Sequence, residues 1–358
     1  IKNNAQLEVI MADEKREALG VHRNTLFSAP ENNTASSKDR LKDFDAAKQS
    51  QWLEFSKNVI QDLGPRISAF PQVPPVVHKD IHCPPDMLQS RVGCTYAWLA
   101  DKRREIAKML KQGPLRHQFG LINKAGFVST DEFNLSRDLP TQKNLIYEHL
   151  IVLTQKNEEH IEINRQQHQA QDGTKYTITV KLTAEERERL HQKNAESPSP
   201  FVEDDIILTI TFDDYGKDDS RTSLVVDHRP TPFNQDYRDS SSYFQVQFDL
   251  IEPYFQACCD WESDHDIKDF LANAGKLAYG LAQLQPVGRG NSAIVEWMIR
   301  GLAKDKHIEL GPFNHNELGW DFKAFLTPDI NVYAAWFAEK AFTQPVLVEG
   351  EDLAPRVL

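Results

Sequence analysis

The sequence predicts an α+β protein: a helical C-terminal core packed beside an antiparallel sheet of four or more strands, with N-terminal helices across it. Three observations carry this. From Ile267 to Leu284 apolar residues recur at i, i+3 and i+4, the spacing of one buried helix face. Between residues 161 and 250 several short runs alternate with period two, the spacing of half-buried strands. Ahead of them, a helical pattern runs from Leu41 through Phe44, Trp52, Phe55, Val59 and Leu63.

In chain order the reading gives four regions: a mobile arm over 1–40, a helical region with a Pro-rich connector over 41–140, an antiparallel sheet region over 141–255, and a helical core over 256–358. The arm is polar, and Ser28–Ser37 (SAPENNTASS) has the composition of a loop. The first helix is expected to stop at Gly64-Pro65. Six prolines between Pro65 and Pro85 fix φ and remove amide donors, so this stretch reads as an extended connector packed on a surface. A second helix is expected from Thr95 to Lys111, ending before Gly113-Pro114.

The middle is strand-like. Thr177, Ile178, Thr179 and Val180 sit in YTITVKL, and Asp172-Gly173 just before them is a hairpin signal. HIEIN and EHLIVLT precede them, though a helix through Tyr147–Leu153 competes for the second. Thr183 and Glu186 form a capping box opening a short charged helix. Ile206, Leu208, Ile210 and Phe212 alternate, as do Phe244, Val246, Phe248 and Leu250, and SLVVDH (Ser223–His228) adds another strand. In the last third, Ile294, Trp297, Met298 and Leu302 give a second helix its face. Thr327-Pro328 opens a third through Tyr333, Phe337 and Ala341.

Composition bounds the function. Apolar residues are 40% and charged residues 26% of 358, a globular balance. The net charge of −12 argues against a nucleic-acid or anionic-membrane surface. No apolar run reaches the ~20 residues of a membrane span. The first residues lack the apolar core of a signal peptide. The chain does not begin with Met, so it is read as a trimmed chain or part of a longer protein. The four cysteines are Cys83, Cys94, Cys258 and Cys259. The last two are adjacent and poorly placed to bridge, which suggests reduced thiols of the cytosolic type. A protein of this kind exported by a bacterium would then act inside a host cell.

The run LQPVGRGNSAIVEWMIRG (Leu284–Gly301) stands out, because two of only 16 glycines flank Arg289 there. The position before Pro286 disfavours α geometry, so the preceding helix should end near Gln285. Gly288 and Gly290 allow backbone angles that other residues resist. Asn291 or Ser292 can cap the next helix. The amides of that helix's first turn, beside the Arg289 guanidinium, form a setting for an anion, phosphate above all. An ordinary tight turn between two amphipathic helices explains the same residues, and the two readings stay open.

Gln285-Pro286-Val287-Gly288-Arg289-Gly290-Asn291-Ser292-Ala293 resembles the Fic/Doc-type motif His-Pro-Phe-x-x-Gly-Asn-Gly-Arg. Pro286, Gly290 and Asn291 match, Val287 is a conservative change, and the flanking helices fit. The resemblance implies phosphate or nucleotide binding by Gly288, Arg289, Gly290, Asn291 and Ser292. It implies a nucleotide such as ATP as ligand, and transfer of a nucleotide-derived group to a hydroxyl of a target protein, by a bacterial effector on a host protein. It also implies an upstream β-hairpin that aligns the target. The sequence departs from the pattern where the chemistry is done. The motif's basic His is Gln285, whose neutral amide cannot take a proton at a useful pKa, and its last Arg is Ala293.

Elsewhere no motif is complete. His78 and His82 are spaced i, i+4 beside Cys83, but the surrounding prolines disfavour a helix and no partner ligand pair exists. Asp260, Glu262, Asp264 and Asp266 precede the long helix, where acidic residues favour the helix end. Asp213, Asp214, Asp218 and Asp219 lack calcium-loop spacing, so no metal is expected. Ser129-Thr130 and Glu349/Glu351 resemble elements of ADP-ribosyltransferases. His315 and Glu317 in PFNHNELGWD follow the motif helix and join Gln285 as weak catalytic candidates. The leading expectation is a divergent Fic-like nucleotide- or phosphate-binding protein. The alternatives are a non-enzymatic interaction module using the Pro-rich segment, and an ADP-ribosyltransferase-like effector.

Overall fold

The computed structural model describes residues 46–110, 118–122 and 242–311, most residues from 313 to 348, and strand backbone between 132 and 228. The arm over 1–40, the Tyr147–Leu153 segment, Ser129-Thr130, Glu349, Glu351, His315 and Glu317 lie outside the described residues.

The body is helical. Helix α1 (Ala46–Ala69) and α2 (Arg91–Met109) precede the strand region; α3 (Tyr243–Asp260), α4 (Ile267–Leu284), α5 (Asn291–Asp305), α6 (Trp320–Phe325) and α7 (Ile330–Trp336) follow it. Their buried residues form one hydrophobic cluster, from Trp52 through Ile122 and from Tyr243 through Phe342. The sheet that joins this body is a two-stranded ladder, β6 (Ile308–Glu309) against β7 (Val346–Leu347).

This corrects the expected fold class, in which a sheet of four or more strands packs beside the core. The strands between 132 and 228 are β1 (Glu132–Phe133), β2 (Ile161–Ala170), β3 (Gly173–Leu182), β4 (Ile206–Asp214) and β5 (Ser223–His228). They pair antiparallel in the order β1-β5-β4-β3-β2, with a two-residue connection where Ala170 faces Gly173. Of the strand residues whose burial is described, none belongs to the buried cluster. The expected strand Phe244–Leu250 is instead the first half of α3. Its sequence alternates, but Tyr243, Phe244, Gln247, Phe248, Ile251, Phe255 and Cys258 are buried, and that spacing is helical. The helical period wins because it runs to Cys258, whereas the alternation ends at Leu250.

Helix α1 also runs through its expected stop, with Pro65 inside it. An interior proline costs a helix about 3 kcal/mol. Continuing to Ala69 buries Ile67 and seats Phe70 just beyond the helix end, and burying two such side chains recovers a comparable amount at about 1.5–3 kcal/mol each. Helix α2 starts at Arg91 rather than Thr95, because the Ser90 hydroxyl caps it by accepting from the Gly93 amide at 3.0 Å. Between them the Pro-rich connector includes two 3-10 turns, Lys79–Ile81 and Pro85–Gln89. Asp86 in the second turn is buried and accepts from the Phe244 and Gln245 amides at 2.6 and 3.2 Å. It therefore satisfies the first turn of α3 from far away in sequence.

Helix α4 has the bounds its apolar stripe predicts, and Asp266 caps it through the Lys268 amide at 2.9 Å. The cap of α7 is Asp329, not Thr327; Asp329 accepts from the Asn331 amide at 2.7 Å, while the Thr327 hydroxyl donates to the Lys323 carbonyl. Tyr279 of α4 and Tyr333 of α7 lie 5.3 Å apart by ring centroid.

At the centre, α5 is buried continuously from Ala293 to Ala303. Trp297 lies 5.5 Å from Trp52 of α1. Gly301 faces the Leu63 side chain of α1 so closely that a Cβ would overlap it. Glu296 and Arg300 form a buried pair at 2.7 Å, and Arg300 also donates to the Leu310 and Gly311 carbonyls, tying the chain after β6 to the helix. No helix among the described residues is long and apolar enough to cross a membrane.

Two expectations follow. Gly301→Ala improves helix propensity by about 1 kcal/mol, yet the overlap with Leu63 should make it net destabilising by about 1–3 kcal/mol. Urea unfolding reads the sign directly; a raised midpoint would refute the close approach. The cysteines should react slowly in the native state. Desolvation pushes Cys83 up to about 12 and Cys94 and Cys259 up to about 11, and raises Cys258 well above its usual range. Thiol titration at pH 8 should be slow before denaturation and complete for all four after it.

Candidate functional site

The glycine loop begins where α4 ends. Gln285 is left-handed (φ 41°, ψ 65°), and its amide closes the helix onto the Leu281 carbonyl at 3.0 Å. The pre-proline restriction and this C-cap together turn the chain at the expected residue. Pro286 and Val287 are buried.

The loop is then held from one side by residues 118–122. The Gly288 amide donates to the Leu121 carbonyl at 3.0 Å, and the Gly120 amide donates to the Arg289 carbonyl at 3.1 Å. Isolated bridges join Val287 to Ile122 and Arg289 to Phe119. The Ile122 amide in turn donates to Ile81, anchoring this segment to the first 3-10 turn.

Tyr96 of α2 holds the far end of the loop: its buried hydroxyl donates to Asn291 Oδ1 at 2.6 Å. Desolvation raises its pKa well above the usual phenol range, so the hydroxyl keeps the proton it donates. Asn291 Nδ2 donates to the Leu281 carbonyl at 3.0 Å, stapling the end of α4 to the start of α5.

Neither Asn291 nor Ser292 caps α5, contrary to expectation. The N-cap is Gly290, left-handed at φ 91°, and no side chain caps the helix. Asn291 is committed to Tyr96 and Leu281, and the Ser292 hydroxyl donates to Asp321 Oδ2 of α6 at 2.7 Å. Gly290 has a second reason to be glycine: a Cβ there would lie 2.7 Å from Arg103 Cγ and 2.8 Å from its Nε.

Two guanidinium groups therefore flank the loop. Arg289 is half-buried and its Nε donates to Gln118 Oε1 at 3.1 Å. Arg103 is buried, its guanidinium carbon 4.0 Å from the Phe119 ring centre and 5.0 Å from that of Trp52. Desolvation lowers it to about 9, so it stays cationic at neutral pH, and the ring faces favour that charge. Two positive charges beside the first turn of α5 would favour an anion there. Gln285 is neutral and cannot act as the base that the Fic-type motif places at its position, and Ala293 stands where that motif has its last Arg.

Thus Gln285, Gly288, Arg289, Gly290, Asn291 and Ser292 form one ordered turn. Sequence reasoning missed Tyr96, Arg103, Gln118 and Asp321. Each lies far from the loop in sequence or on another element, and no local pattern marks them. His78 and His82 do not converge: His78 Nδ1 accepts from the Asp80 amide at 3.2 Å, and His82 is exposed in the left-handed region at φ 53°. Among the described residues no group of three or more His, Cys, Asp or Glu is placed to hold a metal ion. Neither a scan against protein-family models nor a search of curated proteins gives a match.

Tyr96→Phe should keep the ring in place and remove its hydrogen bond to the loop. The expected cost is about 1 kcal/mol, because the Asn291 side-chain carbonyl loses its partner and the loop beside it loosens. Urea unfolding measures the cost, and faster hydrogen exchange at the Val287 amide localises it. Unchanged exchange there would mean the hydroxyl does not organise the loop.

Proposed function

We propose that the Gly288–Ser292 loop and the first turn of α5 bind a phosphate-bearing small molecule, with nucleotides as the leading class. One observation carries the reading: α5 starts at a left-handed glycine without a side-chain cap, between Arg103 and Arg289. The first-turn amides of such a helix lack intrahelical partners, and the helix dipole adds partial positive charge. The local likeness to the Fic-type motif supports the same ligand class. Because Gln285 and Ala293 replace its base and its terminal charge, the reading is binding without that family's transfer step.

Asp321 shapes the expectation. Its carboxylate already sits at this helix end through Ser292, so a phosphate would share Ser292 with it or displace it. Like charges at hydrogen-bond range disfavour each other, so Asp321 should weaken the site.

Calorimetry with ATP, ADP-ribose and inorganic phosphate tests this. Wild type should bind at least one of them. Arg289→Ala should weaken that binding by about ten- to a hundredfold, the range of about 1.5–3 kcal/mol for hydrogen bonds to charged groups, with little loss of stability because the side chain is half-exposed. Asp321→Asn should strengthen it several-fold. If wild type binds none at millimolar concentration, or Arg289→Ala binds equally well, the loop is a turn and nothing more.

A further inference from the structure

The most exposed apolar side chain among the described residues lies far from the glycine loop, in the connector between α1 and α2. Val76 is 95% exposed and Val73 is 65% exposed. They bracket Pro74-Pro75 in the run Phe70-Pro-Gln-Val-Pro-Pro-Val-Val-His78. An exposed valine gains nothing from folding, so its position needs an explanation in how the chain is held.

The segment is pinned at both ends. Phe70 is buried, and its carbonyl accepts from Arg91 Nε at 3.3 Å. The Val73 amide donates to the Ala69 carbonyl at 3.0 Å. At the other end the His78 amide donates to Asp101 Oδ1 at 3.0 Å, and Ile81 is fully buried. Between these anchors, Pro74–Val77 makes no backbone hydrogen bond to described residues. The two prolines fix their own φ, and each restricts the residue before it to extended geometry. His78 continues in that geometry at φ −64°, ψ 137°. The result is a short polyproline-type ridge that rests on the core through Val77 and turns Val73, Pro74 and Val76 outward, already ordered before any partner arrives.

Charge narrows the partner. The ridge runs directly into Lys79, which is exposed and has no ion pair among the described residues. Aromatic-walled grooves take such a ridge because its prolines and valines fill the slots between the rings, and pre-ordering lowers the entropic cost of binding. A cation at one end adds an orientation signal if the groove is rimmed by carboxylates.

We propose that Val73–Lys79 docks a proline-recognising protein module whose aromatic groove is acidic at one rim. The ridge supplies the apolar contacts and Lys79 supplies the direction.

The test uses the full chain against a panel of purified SH3, WW and EVH1 domains, read by fluorescence anisotropy. At least one domain with an acidic groove rim should bind in the micromolar range usual for weak signalling contacts. Val76→Asp, and Pro74→Ala with Pro75→Ala, should each weaken that binding by about tenfold or more, as for residues at the centre of a contact. Lys79→Gln should weaken it less and remove most of its salt dependence. The melting temperature of Val76→Asp should match wild type, because the side chain touches solvent. Absence of binding by every domain at millimolar concentration would overturn the proposal, as would undiminished binding by Val76→Asp.

Discussion

A helix buried on every side has to solve three problems at once, and α5 sets the terms for the rest of this fold. Its residues from Ala293 to Ala303 are all buried, so no face is left for solvating charge. Glu296 and Arg300 therefore satisfy much of each other at 2.7 Å, and Arg300 spends its remaining donors on the Leu310 and Gly311 carbonyls. Desolvation still raises Glu296 to about 7, against the pull of the Arg300 cation. Taking such a pair out of water costs several kcal/mol per ion, which the structure offsets by making the pair hold the chain after β6 in place. Close helix approach is the second problem, solved by Gly301 under Leu63. Entry is the third. A central helix must be entered from a surrounding one without leaving polar backbone unpaired, and the Gln285–Asn291 turn does this with help from Tyr96 and residues 118–122.

This explains which parts of the architecture can be read in the sequence. Helix α4 keeps exposed or half-exposed positions only ahead of Leu277 and is buried continuously from there to Leu284. Its apolar residues hold the helical period throughout, so the stripe marks both ends, and an ordinary C-cap before Pro286 ends it. Helix α5 looks amphipathic by the spacing of Ile294, Trp297, Met298 and Leu302. Its other faces carry Val295, Glu296, Ile299 and Arg300, which are equally buried. A buried Glu and Arg four apart look like a solvated pair to any local rule, because burial is decided by elements that arrive from elsewhere. The error at Phe244–Leu250 has a different cause. Aromatic residues at 244 and 248 satisfy the period of two and the period of four together, and only the continuation to Phe255 and Cys258 separates them. Pro65 misleads in another place: it marks a stop for α1, yet lies inside that helix, where burial beyond it outweighs the local cost.

The site is legible to a lesser degree. Its glycines and its turn follow from sequence, because left-handed geometry at Gly290 and the restriction before Pro286 are local properties. The partners of its polar residues do not follow. Asn291 and Ser292 are good caps in isolation, yet each is drawn to a group on another element: Tyr96 for one, Asp321 for the other. What makes Gly290 indispensable is a second-element contact too, the Arg103 side chain against its Cα. Two reasons for one glycine, one local and one tertiary, cannot be separated from sequence.

The same commitments limit what the proposed anion site can grip. The Gly288 amide is given to Leu121, and the Asn291 side chain to Tyr96 and Leu281. A flexible phosphate loop wraps its ligand with successive amides; this one has used polar groups of its own to hold itself still. What remains for a ligand is the first turn of α5, the Ser292 hydroxyl shared with Asp321, and the half-exposed Arg289 guanidinium. Such a set is pre-organised, which lowers the cost of binding, but it is small, and it touches an anion from one side. It suits a single phosphate group presented at the end of a molecule better than a chain of phosphates enclosed by the loop. The rigidity that lets α5 be entered at all would thus also set the size of the group that the proposed site could take.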